Sequence, residues 1–80
     1  MKTIFVFLAT GFEEIEALAP VDVLRRAGLN VQTVSVMNEQ AVVGAHGIPV
    51  VADKMFAEIN QEDAEMILLP GGLPGATNLD

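Results

Sequence analysis

A nearly continuous apolar run, Lys2-Thr3-Ile4-Phe5-Val6-Phe7-Leu8-Ala9, is broken at Gly11 and followed at once by Glu13, Glu14 and Glu16. A run of β-branched and aromatic residues without polar alternation fits a central strand covered on both faces, and such strands belong to parallel α/β sheets. Beyond the break, Ile15, Leu18, Ala19, Val21, Val23, Leu24 and Ala27 recur at helical spacing and predict a broad apolar face with Ile15 on its buried side. Acidic residues in the first turn and Arg25-Arg26 in the last both complement the helix dipole, and Gly28 suits the position just past the helix end. Pro20 lies inside the pattern and deprives the Glu16 carbonyl of its helical partner, so the helix is expected to kink there or to restart with Pro20 in its first turn.

The rest of the chain continues the alternation. Val31 to Val36, with Gln32, Thr33 and Ser35 interleaved, predicts a second strand with one less buried face. Strand, helix and strand then make a right-handed βαβ unit. Ala41-Val42-Val43 and Ile48-Pro49-Val50-Val51, separated by Gly44-Ala45-His46-Gly47, suggest a hairpin with its second strand on an edge because of Pro49. Asp53 to Ala64 is polar and mixed, an irregular or short helical connection. Met66-Ile67-Leu68-Leu69 predicts a last strand, ending in Pro70-Gly71-Gly72-Leu73-Pro74-Gly75, and Ala76 to Asp80 resembles the first turn of another helix. Strands buried on both faces need helices to cover them, and 80 residues supply one full-length helix. The expectation is therefore that residues 1–80 are the N-terminal half of a single doubly wound α/β domain.

Charge and composition narrow the chemistry. Eleven acidic residues against four basic ones give a net charge of −7, so no basic stripe exists to neutralise phosphates. Nucleic acid and anionic membrane surfaces are excluded as expected partners on that ground. No cysteine is present, which removes disulfides, zinc–thiolate sites and a thiol nucleophile from these residues. The first residues faintly imitate a signal peptide, but glutamates stand where a small-residue cleavage site should be. A buried first strand and a cytoplasmic protein are expected, and no run approaches membrane-spanning length.

Ligands of open α/β sheets bind outside the carboxyl ends of the strands, which draws attention to the acidic first turn and to the glycines after the last strand. Glu13 and Glu14 read as helix-start residues, with a subunit interface as a second reading for one of them. A metal site is not expected, since no further acid or histidine is evident near them. Glu16, taken by itself, is a solvated member of the same turn. The Gly71-Gly72-Gly75 turn fits neither a P-loop nor a dinucleotide fingerprint. It can be a tight turn alone or a source of exposed N–H groups for an oxyanion. His46 is the sole histidine, in a loop where solvent exposure is the ordinary outcome, and Asp22, Arg25 and Arg26 need no more than helix solvation and capping.

Three segments in order resemble the ThiJ/PfpI superfamily, the intracellular-protease and glyoxalase/deglycase-like proteins that share a fold with class I glutamine amidotransferases. They are Gly11-Phe12-Glu13-Glu14-Ile15-Glu16-Ala17 with Pro20 to Gly28, then Gly44-Ala45-His46-Gly47-Ile48, then Leu69-Pro70-Gly71-Gly72 with Gly75. The similarity runs from Lys2 to Asp80, and the first block looks most like the bacterial ThiJ-type branch. The resemblance implies a flavodoxin-like three-layer sandwich with a mostly parallel sheet. It implies a cofactor-free, cysteine-dependent hydrolase or lyase acting on small reactive carbonyls such as methylglyoxal or on glycated adducts. Proteins of thiazole monophosphate biosynthesis share the family. By motif position, Glu16 is the glutamate that touches the thiol, and Gly71 and Gly72 supply oxyanion-type backbone amides. The cysteine and histidine of the family's site fall later than Asp80. A homodimer is implied, with the hairpin near its interface and His46 within possible reach of a partner's site. A redox-sensing or chaperone-like dimer without turnover is the alternative the resemblance leaves open.

Overall fold

The computed structural model describes residues 2–71, and everything structural below concerns those residues. Strand β1 (Thr3–Leu8) leads into helix α1 (Glu14–Arg26), then β2 (Val31–Ser35), the hairpin strands β3 (Ala41–Val43) and β4 (Pro49–Val51), the two-residue β5 (Lys54–Met55), two 3-10 turns and β6 (Ala64–Leu68). Four strands form one sheet in the order β5-β2-β1-β6, with every pairing parallel. The hairpin is a separate two-stranded antiparallel sheet. This is the parallel α/β architecture expected from the apolar runs, in the flavodoxin-like form that the resemblance implies. Gly72, Gly75 and the helix start expected over residues 76–80 lie outside the described residues.

The strand order positions the site. From β1 the chain moves to one side, to β2 and then β5, and returns to β1's other side as β6. The carboxyl ends of β1 and β6 therefore meet where the order reverses, the place where open α/β sheets form their ligand crevice. The first turn of α1 and the Pro70-Gly71 exit from β6 both lie there.

Ile4, Val6 and Leu8 of β1 join Phe12, Ala17, Val21, Val31, Val42 and Ala52 in one buried cluster. On the opposite face, Phe7 meets Phe56 edge-on, ring centroids 5.7 Å apart. Helix α1 runs through Pro20 as one element, so the restart alternative is not what forms. It ends in a Schellman arrangement: the Gly28 N–H donates to the Arg25 carbonyl, the Leu29 N–H donates to the Leu24 carbonyl, and Gly28 takes a φ of 84°.

Three expectations need correction. The inward face of α1 is Glu14, Ala17 and Val21, while Ile15 is 73% exposed. Residues 14, 17 and 21 follow the same 3.6 period as the predicted stripe, rotated towards the sheet. In β2 the polar residues Thr33 and Ser35 are buried, because Ser35 donates to the Glu39 carbonyl and Thr33 exchanges hydrogen bonds with Asp53, while Gln32 is half-buried. Arg25 also does more than solvate the helix, since its guanidinium donates to the Val31 carbonyl and pairs with Asp53 at 2.6 Å.

Candidate functional site

The first turn of α1 carries three carboxylates, and the backbone aims each one differently. Glu13 is the N-cap, and its side chain accepts the Ile15 N–H at 3.3 Å. Glu14, one residue on, points under the hairpin and is 4% exposed. The Gly44–Ile48 loop closes over it: Oε2 accepts the backbone N–H groups of His46 at 2.8 Å and Ile48 at 3.4 Å, and Oε1 lies 2.7 Å from His46 Nδ1. The loop is also tied to the β1–α1 turn, through the Gly11 N–H to Val43 carbonyl and the Ala45 N–H to Phe12 carbonyl bonds. A methyl group at Gly44 would overlap the Glu14 carboxyl group, so the loop can approach this closely only as glycine.

Electrostatics follow from that packing. Burial pushes the Glu14 carboxyl up, but the hydrogen bonds from the His46 ring and from the backbone outweigh it and bring its pKa down to about 2. The Glu14 hydrogen bond, with the charges of Glu13 and Glu14, raises the His46 imidazole above its ordinary value. Glu13 contributes from 3.8 Å away. His46 is thus half of a charge-assisted pair, although its side chain remains 61% exposed.

Glu16 sits on the other side of the turn, towards β6. Its Oε2 accepts the Gly71 N–H at 3.0 Å, and the Glu13 N–H donates to the Gly71 carbonyl at 2.7 Å. Two of the residues singled out by sequence, Glu16 and Gly71, are therefore in direct contact across the β1–β6 crevice. Gly72 lies outside the described residues.

Sequence reasoning missed Glu14 and the bound side of His46. The expectation that no further acid or histidine comes near Glu13 and Glu14 is corrected: one ligand-type atom from each of Glu13, Glu14 and His46 falls within 4.8 Å of the others. That spacing comes from a hydrogen-bonded ion pair rather than a ligand set. Both Glu14 oxygens already accept N–H groups, and the helix N-terminus beneath them repels cations. The signal that could have found the pair is the histidine between Gly44 and Gly47, residues small enough to let a loop approach a carboxylate.

Comparison with known proteins gives the chain's family and fold relatives. The family model described as the DJ-1/PfpI family matches residues 2–80. Protein DJ-1 homolog B of Arabidopsis thaliana is 42% identical over 78 residues, covering 98% of this chain and 18% of that protein. The Parkinson disease protein 7 homolog of Danio rerio is 37% identical over 79 residues, covering 98% of this chain and 42% of that protein. Among solved structures, a mutant of a DJ-1 superfamily protein from Salmonella typhimurium superposes with a TM-score of 0.86 at 43% identity, covering 99% of this chain and 43% of that one. Oxidised Toxoplasma gondii DJ-1 gives a TM-score of 0.89 at 39% identity, covering 95% and 41%. The chain thus spans less than half the length of these relatives. With residues 2–80 matched by that family model, the chain belongs to the DJ-1/PfpI family.

Proposed function

We propose that these 80 residues are the N-terminal half of a single DJ-1/PfpI domain, and that the whole protein is a cofactor-free, cysteine-dependent hydrolase or lyase. Its substrates are small reactive carbonyl compounds or glycated adducts. The observation that carries the proposal is the position of Glu16, at the carboxyl end of β1 and bonded across the crevice to Gly71 at the end of β6. Two structural relatives, one solved as a cysteine-to-alanine mutant and one in oxidised form, support thiol chemistry in the family.

In this reading the thiol comes from residues beyond Asp80. A carboxyl group beside a thiolate helps to hold it by sharing a hydrogen bond with sulfur, so Glu16 is the thiol's partner. Thiolate attack on a carbonyl carbon moves charge onto oxygen, and in this reading backbone N–H groups that follow β6, for which the motif nominates Gly72, stabilise it. The parent protein is proposed to act as a cytoplasmic homodimer. Exposed Ile15, Leu18 and Ile48 support the dimer, since with Glu14, Ala19 and Asp22 they line an open, mostly apolar groove of about 430 Å³.

The test is turnover of methylglyoxal by the parent protein and by its Glu16→Gln variant, with the thiol's ionisation followed by alkylation against pH. Turnover by the wild type, lost or reduced in the variant together with a displaced alkylation profile, is the expected result. A folded parent protein that alkylates at its thiol but consumes no carbonyl substrate would favour the redox-sensing alternative instead.

A further inference from the structure

Gly71 is held by α1 at both of its backbone polar groups: the N–H donates to Glu16 Oε2 and the carbonyl accepts the Glu13 N–H. The Glu16 side chain is otherwise exposed, and a free glutamate there would sample several rotamers. One short backbone bond removes most of that freedom, because fixing one oxygen of a planar carboxyl group limits where the other can be. Oε1 takes no hydrogen bond among the described residues. A Cβ at Gly71 would stand 2.5 Å from Oε2, so a side chain there would push the carboxyl group out of this position.

We propose that Gly71 is a positioning residue for Glu16. Its N–H holds Oε2 and its missing side chain admits the carboxyl group, so Oε1 is the oxygen offered to a hydrogen-bonding group in the crevice. The Gly71 N–H is then engaged before any substrate arrives. Oxyanion stabilisation in this protein falls to other backbone donors, and Gly71 acts through Glu16. The inference deepens the function proposed above and rests on Glu16 being the thiol's partner.

Amide NMR and thiol alkylation separate the two ideas. In the parent protein labelled with nitrogen-15, the Gly71 amide proton should exchange slowly with solvent because it is bonded to Glu16 Oε2. The Glu16→Ala variant should speed that exchange and move the Gly71 amide resonance. Gly71→Ala should displace the alkylation profile in the same direction as Glu16→Gln, by about one pH unit or tenfold in thiolate fraction, and the double variant should go no further. If Gly71→Ala does not fold, Glu16→Asp retains the charge but shortens the reach to Gly71, and it should give the same displacement. A Gly71 amide that Glu16→Ala leaves unmoved overturns the positioning role. So does an alkylation profile that responds to Glu16→Gln but ignores both Gly71→Ala and Glu16→Asp. If the Gly71 amide senses Glu16 while the thiol ignores every one of these variants, the positioning role stands and the thiol-partner role falls.

Discussion

Glu14 lies 4% exposed between a helix start and a loop, and nothing apolar about it explains why. Its burial is tolerated because its oxygens meet three N–H donors. The pair it forms with His46 makes stability depend on pH in a defined way. Glu14 has a depressed folded pKa, so its contribution is present above about pH 4.5 and is lost as pH falls towards about 2. His46 has a raised folded pKa, so its contribution is present below about pH 6.5 and is lost as pH rises through the folded value. Urea titrations across pH should therefore show this pair's contribution greatest between about pH 4.5 and about pH 6.5. His46→Gln should remove the decline on the alkaline side and shrink the acid limb, because the His46 ring is one of the donors that lower the Glu14 carboxyl. At Gly44 the same geometry predicts overpacking: Gly44→Ala should destabilise by about 1–3 kcal/mol, read from the urea midpoint, because the methyl must displace the Glu14 carboxyl group. A neutral outcome would mean that the loop does not close on Glu14 as described.

At the scale of elements, the least conspicuous strand is the one most dependent on a single side chain. Strand β5 has two residues, and only Val34↔Lys54 and Ser35↔Met55 register it on β2. Asp53 just before it accepts from the Thr33 N–H, the Thr33 hydroxyl and Arg25. Asp53→Ala should cost about 1–3 kcal/mol, because the buried Thr33 N–H loses its partner. Hydrogen exchange should show the loss as faster exchange in β2 and β5, with β6 unaffected. No periodicity could have announced β5, since two residues carry none, whereas β1 and α1 were legible from apolar runs long enough to have a period. The rotation of α1 was not legible for the opposite reason. Ile15, Leu18 and Val23 are exposed apolar residues, so the sequence offers hydrophobic positions on more than one side of the helix. What decides between Ile15 and Glu14 is a loop more than 30 residues away. For the site, Glu16 and Gly71 were legible as residues from their motifs, but their contact depends on β6 returning beside β1, a long-range pairing.

At the scale of the whole molecule, two of the apolar surfaces exposed among the described residues bear on association, and they do not adjoin in sequence. One is the α1–hairpin face, with Ile15, Leu18 and Ile48; the other is β6 at the end of the sheet, where Met66, Ile67 and Leu69 are 51%, 44% and 60% exposed. Parallel sheets are ordinarily covered on both faces, and an apolar edge strand is a template for pairing. An 80-residue α/β chain with both surfaces open should therefore self-associate as its concentration rises, which sedimentation velocity measures. The two faces predict different behaviour. Association through the α1–hairpin face closes at a dimer if two copies meet isologously, whereas pairing through the sheet edge brings no such limit when it proceeds heterologously. Ile15→Lys should weaken a discrete dimer, since a charge enters the apolar groove beside Leu18 and Ile48. Ile67→Lys should reduce the larger species and leave the dimer. In the parent protein, if its remaining half covers β6 as proposed, Ile15→Lys should still weaken association, while wild-type material forms no concentration-dependent species beyond the dimer. Monomeric wild-type parent protein at the highest accessible concentration would remove the α1–hairpin face as an interface between copies.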